Sequence, residues 1–234
     1  MKLALCICPQ WSIETPSFAI GSLKSHIKNN NVVVKQFDLN VQSSLYVRKI
    51  NKDLFYDWGN DKPWNSKRTF INEVLPIFKD FWNEKIEELS KYDVVCFTTY
   101  TSNIMATDYI ARYLKEKNRK IQIWYGGPHS WYSDCGGLVE DGKYREFVDV
   151  ACGSNEGETI IADLVNSYEK NKNYENIKGI YRWNKMTPSF PTALPKGRSG
   201  REPVFNGDKR PIILNTLERP SWDNEVIHHY DNLN

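Results

Sequence analysis

The chain reads as an α/β protein built on a doubly wound parallel sheet. Three observations predict it: five short apolar runs of strand length, helix-patterned segments between them, and turn-rich breaks at the carboxyl end of each run. Leu3 to Cys8 is continuously apolar after one charge, the pattern of a strand buried on both faces. Pro9-Gln10-Trp11-Ser12 breaks it, and Thr15-Pro16 reads as an N-cap with proline in the first turn. Phe18, Ile20, Leu23 and Ile27 then follow at helical spacing. Val32 to Phe37 makes a second strand that ends in Asp38-Leu39-Asn40. Strand, helix and strand in this order form a βαβ unit with a right-handed crossover.

Residues 41–90 depart from that rhythm. They are rich in aromatics and read as two or three inserted helices, the last from about Ile77 to Leu89. Asp93 to Thr98 is the third strand, and Thr101-Ser102-Asn103 supplies caps for a helix over Ile104 to Lys117. Ile121 to Tyr125 is the fourth strand, Ser133 to Asp141 a short helix, and Phe147 to Cys152 the fifth strand. Glu156-Gly157-Glu158-Thr159 opens a last helix, its acids placed against the positive end of the helix dipole. Beyond Lys170, Gly179 to Trp183 looks like a short edge strand, and Thr187 to Pro211 a proline- and glycine-rich linker or wrapping arm. The five alternating units predict a flavodoxin-like (Rossmann-like) sheet in strand order 2-1-3-4-5. An α/β domain over 1–170, with its helical insertion at 41–90, is followed by an edge strand and extended arm over 171–234.

Composition narrows the function classes. The chain has 234 residues, 40% of them hydrophobic and 26% charged, so it can build a real core. A net charge of +2 gives no electrostatic case for nucleic acid or an anionic membrane as partner. No run approaches the ~20 apolar residues of a membrane span. The amino terminus meets Pro9 and Gln10 too soon to be a signal peptide. Of five cysteines, Cys6, Cys8, Cys96 and Cys152 sit in apolar runs, where a thiol behaves as a small hydrophobe; Cys135 is the exception. No C-x-x-C pair and no zinc spacing occurs, so a reduced, cytoplasmic protein without a metal site is expected.

The most informative stretch is Tyr125-Gly126-Gly127-Pro128-His129 at the end of the fourth strand. Two glycines there leave bare backbone at the sheet edge where α/β proteins bind ligands. Three further loops converge on that edge: Pro9-Gln10-Trp11-Ser12, Asp38-Leu39-Asn40 and Thr98-Thr99-Tyr100-Thr101-Ser102-Asn103. Together they suit a long amphipathic ligand with a phosphate-bearing tail. Each also has a plain reading: helix caps at Thr101 to Asn103, a strand terminator at Asp38, a tight turn at the glycines, and a packing staple at Trp11.

These motifs, in this order, resemble the N-terminal cobalamin-binding domains of class B radical SAM proteins. Pro16-Ser17 with Leu23 and Asp38-Leu39-Asn40 is similar to that family's opening helix and second strand end. Asp93 to Thr98 is similar to its third strand and Gly126-Gly127-Pro128-His129 to its most recognisable turn. Val148-Asp149-Val150 with the segment from Gly153 to Thr159 resembles its fifth strand and following acidic turn. Lys178 to Arg182 resembles its next short strand, and Leu217-Glu218-Arg219-Pro220-Ser221 its approach to the radical SAM barrel.

The resemblance implies a bound corrinoid. The candidate contacts are Pro9 and Trp11 in the first loop, Ser17 at the helix start, and Asp38 and Asn40 after the second strand. Thr98, Thr99, Tyr100, Thr101 and Asn103 follow the third strand, Gly126, Gly127, Pro128 and His129 the fourth, and Glu156 and Gly157 the fifth. His129 would hydrogen-bond the cofactor tail, or be a surface loop histidine. The first loop reads Cys8-Pro9-Gln10-Trp11, without the D-x-H-x-x-G histidine that elsewhere ligates cobalt. The resemblance also implies a downstream partner domain that binds S-adenosylmethionine and a [4Fe–4S] cluster through C-x-x-x-C-x-x-C, and that triplet does not occur here.

No catalytic set is readable. Glu156 and Glu158, two apart at a helix start, point in different directions and read as dipole partners and ligand-amide contacts. Cys135 has no base at catalytic spacing, and His228 and His229 read as solvated. A parent methyltransferase-type enzyme is expected, with no catalysis by this chain alone. A domain that keeps the fold without the cofactor, using the aromatic insertion for docking, is the alternative. A flavin or nucleotide binder is disfavoured, because no G-x-G-x-x-G or P-loop follows the first strand.

Overall fold

The computed structural model describes residues 1–50, 62–129, 144, 146–185, 201–207, 209 and 217–232. Its strands are β1 (Lys2–Ile7), β2 (Val33–Asp38), β3 (Val94–Thr98), β4 (Gln122–Gly126), β5 (Val150–Cys152), β6 (Ile180–Lys185) and β7 (Arg201–Phe205). The longer helices are α1 (Phe18–His26), α2 (Leu39–Ile50), α5 (Leu75–Leu89), α6 (Ile104–Lys117), α7 (Gly157–Lys170) and α8 (Asn224–Asp231). Two short turns of helix, α3 (Lys62–Asn65) and α4 (Lys67–Thr69), and a π-helical turn over Phe70–Val74 lead into α5. The predicted helix at Ser133 to Asp141, and Cys135 with it, lies outside the described residues.

The sheet order is β2-β1-β3-β4-β5-β6-β7. The five predicted strands pair in parallel in the expected order, and β6 and β7 add an antiparallel hairpin beyond β5. Here the structure corrects the sequence: β7 occupies part of the segment expected to be a linker. Its Val204 pairs with Arg182, and the ring of Phe205 packs on Tyr181 at 4.7 Å. A proline at 203 disguised the strand, and an outermost strand is where a missing N–H is tolerated.

Alternation along the parallel strands divides the core in two. Ala4, Cys6, Phe37, Val95, Phe97, Ile123 and Tyr125 face α2, α5 and α6, while Leu3, Leu5, Ile7, Val94, Cys96, Trp124 and Cys152 face α1 and α7. The aromatics of the insertion belong to the first core. Trp64, Phe70, Phe78 and Trp82 are all buried, with Phe78 and Trp82 stacked at 5.3 Å and Phe70 and Trp82 at 6.0 Å. The Trp82 indole N–H donates to the Ser43 hydroxyl at 3.1 Å. Packing over a wide sheet accounts for these four rings, and they form no docking surface.

Several element ends differ from the sequence reading for identifiable reasons. α1 starts at Phe18 with Ser17 at the N-cap position, two residues after Thr15. The Ser17 side chain makes no cap bond; its backbone N–H goes to the Asp38 carboxylate. β2 runs directly into α2 because Asp38 accepts the backbone N–H of Val41 at 3.1 Å, as an N-cap residue does. β5 has three residues rather than six. Asp149 turns its carboxylate onto the Ile123 N–H at 2.8 Å and onto Lys115 at 2.7 Å, which diverts the chain and drops Phe147 and Val148 into the first core.

Residues 217–232 of the carboxyl-terminal segment lie against α1, β2 and α2. Gln36 and Asp223 bond reciprocally: the Gln36 N–H donates to the Asp223 carboxylate at 2.8 Å, and the Asp223 N–H to the Gln36 amide oxygen at 2.6 Å. Lys24 pairs with the same carboxylate at 2.5 Å. This covers an edge strand that would otherwise offer unpaired backbone groups. Trp222 lies over Gly21, where an added Cβ would stand 2.6 Å from the indole, and donates its N–H to the Ser17 carbonyl at 3.0 Å. Tyr230, on α8, donates to the buried Asp38 at 2.8 Å. His228 is exposed, but His229 is half-buried and burial holds its pKa below the ordinary value, so only the first of this pair is solvated as expected. Among the described residues no helix is long and apolar enough to cross a membrane.

Two predictions follow from this tail. Burial raises the Asp38 carboxyl to about 6, against the hydrogen bonds that favour its ionised form. The native state therefore holds a proton that the unfolded chain gives up near 4. The stability from this site is fullest below pH 4 and falls as pH rises through about 6. Tyr230→Phe should lower unfolding free energy by roughly 1–3 kcal/mol, more at pH 7.5 than at pH 5, in urea titrations. A loss independent of pH would show that the phenol does not serve the ionised carboxylate. Gly21→Ala should displace Trp222, costing roughly 1–3 kcal/mol and exposing residues 217–223 to limited proteolysis.

Candidate ligand slot at the carboxyl edge of the sheet

At the β1/β3 switch point the chain closes on itself. Asn40 donates to the carbonyls of Trp11 at 3.1 Å and Ser12 at 3.0 Å and accepts the Trp11 N–H at 3.1 Å. The Ser102 hydroxyl donates to the Gln10 carbonyl at 2.9 Å. Asn103, fully buried, donates to the carbonyls of Thr98 at 3.1 Å and Cys8 at 3.4 Å and accepts the Tyr100 N–H at 2.7 Å. Its side chain thus laces two loops together rather than capping α6. Trp11 stacks on Tyr100 with ring centres 4.1 Å apart and planes 20° from parallel.

The opening lies farther along the edge. A cavity of about 250 Å³ sits over the ends of β3, β4 and β5, on the face covered by α1 and α7. Its mouth is framed by Thr98, Gly126, Gly127, Pro128, Ser154, Asn155, Gly157 and Glu158, and its depth by Cys96, Trp124, Cys152, Ile160, Ile161 and Leu164. Ala19 and Leu23 of α1 form a side wall. Five predicted contacts meet here: Thr98, Gly126, Gly127, Pro128 and Gly157. The structure puts the others elsewhere. Pro9, Trp11, Asn40, Tyr100, Thr101 and Asn103 belong to the neighbouring closed corner, and Ser17 and Asp38 lie beneath it, tied to α2 and α8. Thr99, His129 and Glu156 brace the slot from outside its lining.

The two glycines have different jobs. Gly127 has φ +95°, and a Cβ there would meet the Thr99 backbone oxygen at 2.7 Å, so the turn itself requires glycine. A Cβ on Gly126 would meet only the Cys152 Cβ, at 3.8 Å, so its bareness serves open space and not the turn. The turn is stitched to β3: both the N–H and the hydroxyl of Thr99 donate to the Gly126 carbonyl at 2.7 Å, and the His129 N–H donates to the Thr99 carbonyl at 3.0 Å.

The slot is electrically quiet in its depth. Burial pushes the Cys96 thiol up to about 12 and the Cys152 thiol up to about 11, so both stay protonated at neutral pH. The Cys152 thiol donates to the Ser154 carbonyl at 3.0 Å. Polarity is gathered at the mouth, where Glu158 accepts the Ser22 hydroxyl at 3.0 Å beside the amino end of α7. Sequence reasoning missed Cys96, Cys152 and the α1 wall. The available signal was period-two alternation: Thr98, Gly126 and Cys152 share one face at three adjacent strand ends, with Cys96 two residues deeper on the same face.

No family model matches the chain, and no curated protein matches it. Among solved structures, it is similar to the radical S-adenosylmethionine methyltransferase TsrM from Kitasatospora setae with tryptophan substrate and the SAM analogue aza-SAM bound. That match has 14% identity and a TM-score of 0.48, covering 82% of this chain and 31% of the other. A structure of TsrM from the same organism with cobalamin and a [4Fe–4S] cluster bound matches with 11% identity and a TM-score of 0.44, over 77% and 27% of the two chains. The chain spans less than a third of the length of either.

Proposed function

We propose that this chain is a corrinoid-binding domain that serves a B12-dependent radical SAM enzyme, and that it grips cobalamin by the nucleotide tail. The observation that supports this most is the slot beneath Gly126. Its 250 Å³ is smaller than the ~300–1,000 Å³ of pockets that hold a whole small molecule. Such a site takes part of a larger ligand, with the remainder lying outside on the sheet edge. An apolar depth and a polar mouth match a flat base followed by a sugar and phosphate. The residues present fit the group.

The tail base would enter between Cys96, Cys152 and Leu164, with the bare backbone of Gly126 and Gly157 admitting the sugar. Thr98 and Glu158 stand at the mouth as hydrogen-bonding groups for it. Along the same edge Trp11, 37% exposed and backed by Tyr100, presents a flat apolar surface to the macrocycle. When bound, cobalamin supplies a cobalt able to carry a methyl group. S-adenosylmethionine and the cluster would belong to a partner radical SAM domain, and the reaction of the whole would be of methyltransferase type. Because the loop after β1 offers Pro9, Gln10 and Trp11 and no histidine, the tail must supply much of the affinity.

The rival reading is a docking module without the cofactor. One observation favours it: Asp38, Asn40 and Asn103 already spend their polar atoms on the chain's own loops. Mixing the purified chain with hydroxocobalamin and desalting it decides between the two. The proposal expects about one equivalent of retained corrin, seen in the visible spectrum. A colourless protein with no thermal shift would falsify it. Gly126→Leu should abolish retention while the melting temperature stays close to that of the parent. Gly127→Ala should lower stability by roughly 1–3 kcal/mol whether or not ligand is present, because strain at positive φ acts on the turn. Retention undiminished in Gly126→Leu would place the tail elsewhere.

A further inference from the structure

We infer that the slot selects corrinoids by the base of their tail, admitting a benzimidazole-type base and rejecting a purine. This rests on the reading of the slot as the tail site. The side chains of its depth are three aliphatic ones, two thiols and one indole. The thiols are held neutral by burial, and one of them is already engaged with the Ser154 carbonyl. An indole only donates, and a thiol is a weak donor and a weaker acceptor. These six side chains therefore present no strong hydrogen-bond acceptor. The acceptors of the lining stand at the mouth: the Glu158 carboxylate on the first turn of α7, one oxygen of which accepts from Ser22, and the side chains of Thr98, Ser154 and Asn155.

A benzimidazole carries a hydrocarbon six-membered ring, which such a lining accommodates without leaving polar atoms unpaired. Adenine has nearly the same outline but places an exocyclic amine and two ring nitrogens on that ring. In the depth of the slot the amine would lose its hydrogen bonds to water and find no acceptor to replace them. The base of cobalamin also carries two methyl groups that adenine lacks, and their burial adds to this desolvation in favouring it. Apolar pockets reject an isostere bearing an extra polar group by about a hundredfold at most.

The test compares three corrinoids on the intact chain: cobalamin, the analogue whose tail base is adenine, and cobinamide, which has no tail. Affinity is read from quenching of tryptophan fluorescence, and retention from the visible spectrum after desalting. Cobalamin should bind about 10- to 100-fold more tightly than the adenine analogue, and cobinamide should be lost on desalting. Equal affinity for cobalamin and the adenine analogue overturns the selectivity and leaves the corrinoid reading standing. Cobinamide held as tightly as cobalamin overturns it as well, since the tail then does not occupy the slot. Retention of none of the three overturns both. Gly126→Leu adds an internal check: it should reduce cobalamin and the adenine analogue alike to the level of cobinamide, and an unchanged preference would locate the discrimination outside the slot.

Discussion

The buried carboxylate of Asp38 is the interaction on which the arrangement of the edge depends. It sits with no exposed surface at the end of β2 and accepts the backbone N–H groups of Ser17, Asn40 and Val41 and the hydroxyl of Tyr230. One side chain thereby fixes the start of α1, the start of α2 and the docking of α8. Burying it is unfavourable, as its raised pKa records, and four donors offset much of that. The consequence reaches the slot through α1. Holding the first turn of α1 against β2 fixes the helix whose next residues, Ala19 and Leu23, form the slot's side wall.

The edge then divides into a closed corner and an open one. At the switch point, polar side chains are spent on loop carbonyls, and Trp11 on Tyr100 shuts the crevice in which ligands of doubly wound sheets usually lie. Over β3 to β5 the backbone is stitched to itself and the side chains are small. The stitching through Thr99 holds the turn in one shape, leaving it little conformational freedom. Rigidity in the first corner and vacancy in the second are two results of the same loop architecture.

The sheet was legible in the sequence because continuous apolar runs leave few alternatives to buried parallel strands. The strand order follows from topology rules that need no side-chain detail. What escaped was tertiary in origin. Asp38, Asn40 and Asn103 are the residue types a ligand site uses, and a single sequence does not distinguish a polar group aimed at a ligand from one consumed by a neighbouring loop. The aromatic insertion had the same ambiguity, and for Trp64 and Trp82 their full burial answers it. β7 was hidden by Pro203, and the returning tail by polar contacts between Gln36 and Asp223, 187 residues apart. Gly126 was legible as bare backbone at the sheet edge; that it faces Cys152 across the slot, and that Gly127 serves the turn instead, required the geometry.

The contrast between the two faces of the sheet argues that the slot is not a packing accident. On the α6 face, the strand ends carry Phe97 and Tyr125, and Tyr125 packs edge-on against Tyr144 at 5.5 Å and reaches Asp108 at 3.1 Å. One residue further along, on the α1 and α7 face, stand Thr98 and Gly126, joined by Cys152 from β5, with Cys96 and Trp124 two residues deeper. A chain that fills one face with aromatic rings leaves small side chains at Gly126 and Cys152 on the other, above the buried indole of Trp124. Unfilled apolar volume forfeits dispersion contacts and lowers stability. A ligand group that enters the slot restores those contacts, so binding and stability are linked: occupancy should protect the α1 and α7 face more than the aromatic one.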